Sequence, residues 1–178
     1  RFCDAFESRR DAIAEELAWQ MGRPIRYAPN EVRGTLERAR HMIGIGPDAL
    51  ADIDVGRKDG FRRFLRREPL GVVFTVAAWN YPYLIAVNSV VPALMAGNVV
   101  ILKHSAQTPL CAERFEECLR EAGLPEGAFQ ALHLSHADTE RVCSSCHSIG
   151  RVMLQRRSEK DWDSLVAMHR GWYPLVDF

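Results

Sequence analysis

Apolar residues recur at helical spacing from the start of the chain. Phe2, Phe6, Ile13 and Leu17 predict helix over residues 2–21, closed by the breaker Met21-Gly22-Arg23-Pro24. Val32, Leu36, Ala39 and Ile43 predict a second helix, capped by Asn30 and stopped at Gly44. Residues 46–60 (GPDALADIDVGRKDG) have loop chemistry. From Phe61 the pattern turns β-like, and Val72, Val73, Phe74, Thr75 and Val76 form a run that suits a strand covered on both faces. Helix is then predicted from about Tyr83 to Met95, ending at Ala96-Gly97. NVVILK (98–103) reads as a second buried strand, and Thr108-Pro109 as the N-cap and first residue of a helix reaching Gly123. FQALHL (129–134) is a third strand, ADTERV (137–142) a short helix and IGRVML (149–154) a possible fourth strand.

Strand–helix alternation of this kind predicts an α/β fold: a Rossmann-like, mostly parallel sheet with flanking helices, here incomplete and preceded by N-terminal helices. Ligands of such sheets bind at the carboxyl ends of the strands. That directs attention to Ala77-Ala78-Trp79-Asn80 and Lys103-His104-Ser105.

Composition narrows the class without naming it. The 178 residues are 47% hydrophobic and 26% charged, enough for a sizeable soluble core. Basic and acidic residues balance at 23 each, so no global field favours nucleic acid, and an arginine-to-lysine ratio of 20 to 3 suggests coding bias. The most apolar stretch, Leu84–Met95, is too short and too interrupted to span a bilayer. The five cysteines are odd in number, and Cys111 and Cys118 share one helix, so buried thiols and a cytoplasmic location are expected. RKDGFRRFLRR (57–67) is basic and aromatic, but a solvated strand explains it better than a nucleic-acid patch. Cys143-Ser-Ser-Cys146-His147 has the spacing of a c-type haem attachment, and with His133 and His136 a zinc site is conceivable.

The strand ends carry the most specific signal. The run from Arg66 to Leu110, RREPLGVVFTVAAWNYPYLIAVNSVVPALMAGNVVILKHSAQTPL, followed by EAGLPEGAFQ (121–130), resembles the aldehyde dehydrogenase superfamily. R-E-P-x-G-V, W-N-[FY]-P, P-A-L-x-x-G-N, L-K, Q-T-P and A-G-x-P-x-G appear in order over roughly residues 60–136. The resemblance implies an enzyme that attacks an aldehyde with a cysteine thiolate and oxidises it to a carboxylic acid with NAD or NADP. It makes Asn80 the donor to the developing oxyanion, a contact whose loss typically raises a barrier by ~3 kcal/mol. Read by spacing alone, Asn80 would be the N-cap of the following helix.

Val76, Ala77, Ala78 and Trp79 match the backbone that lies along the cofactor, and Lys103 matches the lysine on the adenosine ribose. Three positions on, where NAD-preferring members place a glutamate, stands Ala106; Ser105 is free to donate to a 2′-phosphate, which favours NADP or dual use. Ala78 and His104 replace prolines of the family pattern, and His104 reads as a loop histidine. The basic 57–67 zone corresponds to a ribbon used in subunit association, so a homo-oligomer is implied for a complete enzyme.

The resemblance fades around Arg141–Val142. LQRRSEKDWDS (154–164) stands where F-T-G-S and its helix would face the pyrophosphate, and the L-E-L-G-G-K and G-Q-x-C contexts of the general base and nucleophile are absent. The expected organisation is N-terminal helices and the start of a ribbon in 1–66, a partial NAD(P)-binding domain in 67–150 and a diverged tail in 151–178. The chain alone is expected to lack aldehyde oxidation. A non-catalytic remnant that associates with a relative is the alternative, since an incomplete sheet leaves apolar surface open. The substrate would be a small-molecule aldehyde, with no nucleic acid, membrane or metal partner.

Overall fold

The structure, a computed structural model, describes residues 1–146, the last four as helix backbone. The first helical pattern divides at Arg9 into α1 (Phe2–Ser8) and α2 (Arg10–Met21). Ser8 Oγ donates to the Ala5 carbonyl at 2.9 Å, the local competition that short hydroxyl side chains offer a helix. Gly22, at φ 67°, closes α2 in the left-handed conformation that glycine adopts freely. A 3₁₀ turn, Ile25–Tyr27, leads into α3 (Ala28–Leu50).

Two expectations for α3 are corrected. Asn30 lies within the first turn, because the helix begins two residues earlier behind Tyr27. Nor does it stop at Gly44; it continues through Pro47 to Leu50. Gly46 serves close packing here: a Cβ would collide with the Met95 methyl of the helix that α3 packs against. Ile43, expected in the core, is exposed, while Val32, Leu36 and Ala39 are buried.

The expected loop at 46–60 therefore contains the end of α3 and also β1 (Ile53–Asp54), which pairs antiparallel with β2 (Phe64–Leu65). Every residue of 51–70 is exposed. Arg66 makes a bidentate pair with Asp52 at 2.9 and 2.7 Å, and the guanidinium carbons of Arg62 and Arg66 lie 5.3 and 4.9 Å from the Phe64 ring centre. Much of this basic stretch is thus engaged within the ribbon itself.

Next come β3 (Val72–Ala77), α4 (Pro82–Met95), β4 (Val99–His104), α5 (Leu110–Glu121) and β5 (Phe129–Ala131). The three strands form a parallel sheet in the order β3-β4-β5, as the alternation predicts. Asn98 locks its lower end: the side-chain oxygen accepts from Leu70 N–H (2.6 Å) and Gly71 N–H (3.0 Å), and the amide donates to the Ala93 carbonyl (3.1 Å). The G-N of the sequence motif is therefore architectural.

Burial corrects the reading of the first strand. Thr75 and Ala77 face the core, but Val72 is 63% and Val76 52% exposed, so only one face of β3 is covered. On the covered side, α1, α4 and α5 enclose an aromatic cluster. Phe6 meets Tyr83 edge-on at 5.1 Å, and Phe115 lies 5.8 Å from Phe2 and from Tyr83 and 6.4 Å from Phe129.

These elements form one compact unit, Arg1–Leu134, and a second unit begins at Ser135. Its described part is α6 (His136–Cys146), longer than the predicted 137–142 helix and including Cys143 and Cys146. The possible fourth strand at 149–154 and His147 lie outside the described residues.

Candidate functional site

The register of β3 against β4 sets Ala77 opposite His104, so the turns that leave the two strands emerge side by side at their carboxyl ends. The first turn carries the expected oxyanion donor and backbone stretch. Ala77 is buried at the end of β3, whereas Val76, Ala78, Trp79 and Asn80 are exposed. Asn80 does not cap α4, whose N-cap position is Tyr81 with no side-chain cap bond. The Asn80 carboxamide makes no hydrogen bond among the described residues, leaving both donors open.

Two residues that sequence reasoning missed fasten this turn. Glu31, on α3, accepts from Tyr83 N–H at 3.0 Å and Leu84 N–H at 3.5 Å, so it caps α4 from a distant helix. It pairs with Arg23, which donates to the Asn80 carbonyl at 2.9 Å and covers the Tyr81 ring at 5.4 Å. Burial pushes the Glu31 carboxyl up, against the pull of Arg23 and the two amides. Their only sequence signal is a buried-side acid in an amphipathic helix, which does not name its partner.

The second turn is built around His104. Expected as a loop residue, it is instead the last residue of β4 and is 2% exposed. Nε2 lies 3.1 Å from the Pro82 carbonyl, while Nδ1 accepts from Ser105 N–H and from Thr108 Oγ1, both at 3.0 Å. A carbonyl only accepts and a backbone N–H only donates, so the proton sits on Nε2. Burial, seconded by the charge of Lys103 and the proximity of His133, lowers the pKa of the ring, against the Pro82 bond. Thr108 is thereby corrected as well: its hydroxyl serves His104, and the α5 N-terminus is capped by Gln20 Oε1, which accepts from Leu110 N–H at 3.0 Å.

Lys103 is not an ordinary solvated lysine. It is buried to 3% exposure, and no hydrogen bond or ion pair holds its ammonium among the described residues. Ser105 Oγ accepts from Gln107 N–H at 3.3 Å, which leaves its own proton available. Ala106 is exposed and adds no carboxylate. An unclaimed cation, a free hydroxyl donor and no acid suit a dinucleotide with a 2′-phosphate.

Three cysteines do not suit the role of nucleophile. Cys3, Cys111 and Cys118 are buried and free. Burial raises the first and pushes the thiols of Cys111 and Cys118 to about 12 and about 11, so almost no thiolate forms near neutrality. Among the described residues no group of three or more histidine, cysteine or acidic side chains could hold a metal, and no helix is long and apolar enough to cross a membrane.

The sequence model of the aldehyde dehydrogenase family matches residues 1–155, which extends beyond the 60–136 motif run at both ends. Succinate-semialdehyde dehydrogenase [NADP(+)] of Mycobacterium avium is 36% identical over 141 residues, covering 78% of this chain and 30% of that protein. A probable enzyme of the same name from Synechocystis is 40% identical over 129 residues, covering 72% and 28%. The crystal structure of succinic semialdehyde dehydrogenase from Streptococcus pyogenes with NADP+ superposes with a TM-score of 0.71 at 26% identity, over 79% of this chain and 31% of that one. The chain thus spans about 30% of the length of the relatives it matches.

Proposed function

Since the chain belongs to the aldehyde dehydrogenase family, we propose that it supplies the cofactor-binding portion of an enzyme that oxidises an aldehyde to a carboxylic acid with NADP+, or with NAD+ less tightly. The observation that carries this reading is the parallel pairing of β3 and β4, which juxtaposes the Val76–Asn80 and Lys103–Ala106 turns at one sheet end. Lys103 and Ser105 would hold the adenosine ribose and its 2′-phosphate, with Val76 to Trp79 along the rest of the dinucleotide. Bound NADP+ would supply the hydride acceptor. The chain's own contribution to the chemistry is Asn80, whose amide would donate to an aldehyde oxygen as it gains charge. The Arg23–Glu31 pair keeps that turn in place through the Asn80 carbonyl and the α4 amides.

The 178-residue chain would not turn over an aldehyde by itself, since Cys3, Cys111 and Cys118 are buried, protonated thiols and neither Cys143 nor Cys146 stands in the G-Q-x-C context of the nucleophile. Because the relatives from Mycobacterium avium and Synechocystis carry the name succinate-semialdehyde dehydrogenase, succinate semialdehyde is the first aldehyde to assay. Calorimetric titration of the folded chain should give saturable NADP+ binding, tighter than NAD+, and no NADPH formation with succinate semialdehyde. A folded chain that binds neither dinucleotide, or one that forms NADPH at an enzymatic rate, would overturn the proposal.

A further inference from the structure

One imidazole joins the two turns of the cofactor site. Nε2–H of His104 donates across to Pro82, the first residue of α4 and the far anchor of the Ala78–Tyr81 turn. Nδ1 collects the Ser105 N–H and the Thr108 hydroxyl, the two polar groups that shape the Lys103–Ala106 turn. The neighbouring side chains are used differently: Lys103 has no bond to its ammonium among the described residues and Ser105 keeps its hydroxyl proton, whereas His104 commits both ring nitrogens to protein groups.

We propose that His104 is a positioning residue of this site, whose neutral ring pins the turn after β3 to the turn after β4, and whose protonation unpins them. The pinning rests on the geometry alone; its consequence for NADP+ rests on the function proposed above. An added proton on Nδ1 would confront the Ser105 N–H, a fixed donor that cannot reverse, inside a site closed to water. The second turn must then move, or the ring must leave Pro82. Charged and titratable neighbours reinforce the neutral form: Lys103 on the same strand and His133 beyond β5 both oppose protonation. The facing residues of α4 and of the α5 approach, Pro82 and Thr108, carry no charge. An ordinary loop proline or serine could not make both connections at once.

The test uses the whole 178-residue chain labelled with 15N. Imidazole nitrogen shifts of His104 should report the Nε2–H tautomer and a titration below the ordinary 6.5, with the Asn80, Tyr81 and Ser105 amides moving on the same curve. NADP+ affinity should be flat above that titration and fall by about tenfold per pH unit below it. The 2′-phosphate itself titrates near pH ~6, so the same series is run on His104→Gln, which keeps a donor and an acceptor but cannot protonate. That variant should bind about two- to tenfold more weakly at pH 8 and lose the ring's share of the acid limb. An unchanged acid limb in His104→Gln, a ring in the Nδ1–H tautomer, or a titration that leaves the three amides still would each overturn the proposal. Should the variant not fold, the ring and amide curves of the parent chain decide the matter. Should NADP+ not bind at any pH, the proposed function fails while those curves still test the pinning.

Discussion

On one side of the three-stranded sheet, Val73, Thr75, Ala77, Val100, Leu102 and His104 meet the helices; on the other, Val72, Phe74, Val76, Val99, Ile101 and Lys103 alternate with them along the same strands. The first set is tied inward: Leu102 and Val100 join the aromatic core, Thr75 bonds Ser89 at 2.8 Å, and His104 braces two turns. The second set includes the exposed Val72 and Val76 and the unpartnered ammonium of Lys103. Adjacent residues of one strand therefore divide the work. One face is built into the core, and the other is covered only in part, leaving Val72 and Val76 exposed.

That division can be broken in graded ways. The largest effect should come from the covered face: Phe115→Ala empties the centre of the aromatic cluster and should cost about 3–5 kcal/mol in denaturant unfolding. Val72→Ala, on the open face of the same sheet, should change stability by less than about 0.5 kcal/mol. Similar losses from both would dissolve the comparison. Glu31→Gln preserves an acceptor for the α4 amides but leaves Arg23 without its anion; about 3 kcal/mol is expected, together with shifts of the Tyr81 and Asn80 amides.

Lys103→Met keeps the buried stem and removes the charge. It should leave stability nearly unchanged while weakening NADP+ by about tenfold or more, read by calorimetry and unfolding on one preparation. The smallest effect concerns pH. His104 has its pKa lowered from 6.5, so between that value and its folded one the unfolded chain takes a proton that the folded chain refuses. Stability is full above about 6.5 and declines as pH falls below it, levelling once the folded ring protonates; His104→Gln should flatten that slope.

The elements with a strong period were legible in the sequence. Phe2, Phe6, Ile13 and Leu17 are buried as their spacing requires, and Gly97 takes a positive φ of 82° just past the end of α4. The parallel sheet followed from alternation alone. Illegible were the interactions that join distant segments. The cap of α4 comes from Glu31, 52 residues before Tyr83, and that of α5 from Gln20, 90 residues before Leu110. Local rules therefore assigned the caps to Asn80 and Thr108, the nearest side chains with suitable chemistry. Gly44 looked like a stop because only the packed helix shows why small residues recur near Gly46. His104 looked idle because its distant partner, the Pro82 carbonyl, reaches it only through the β3–α4–β4 crossover. Of the candidate site, Asn80, Lys103 and Ser105 lie at or just past the ends of β3 and β4, while Arg23, Glu31 and His104, which shape those ends, were silent in the sequence.

The most direct measurement is a heteronuclear NMR titration of the 178-residue chain with NADP+. The amides of Val76 to Asn80 and Lys103 to Ala106 should shift together and saturate on one curve, with the β1–β2 ribbon unmoved. Saturable shifts confined to the ribbon or to the helices, or no shifts in a chain shown to be folded, would contradict a cofactor site at the ends of β3 and β4.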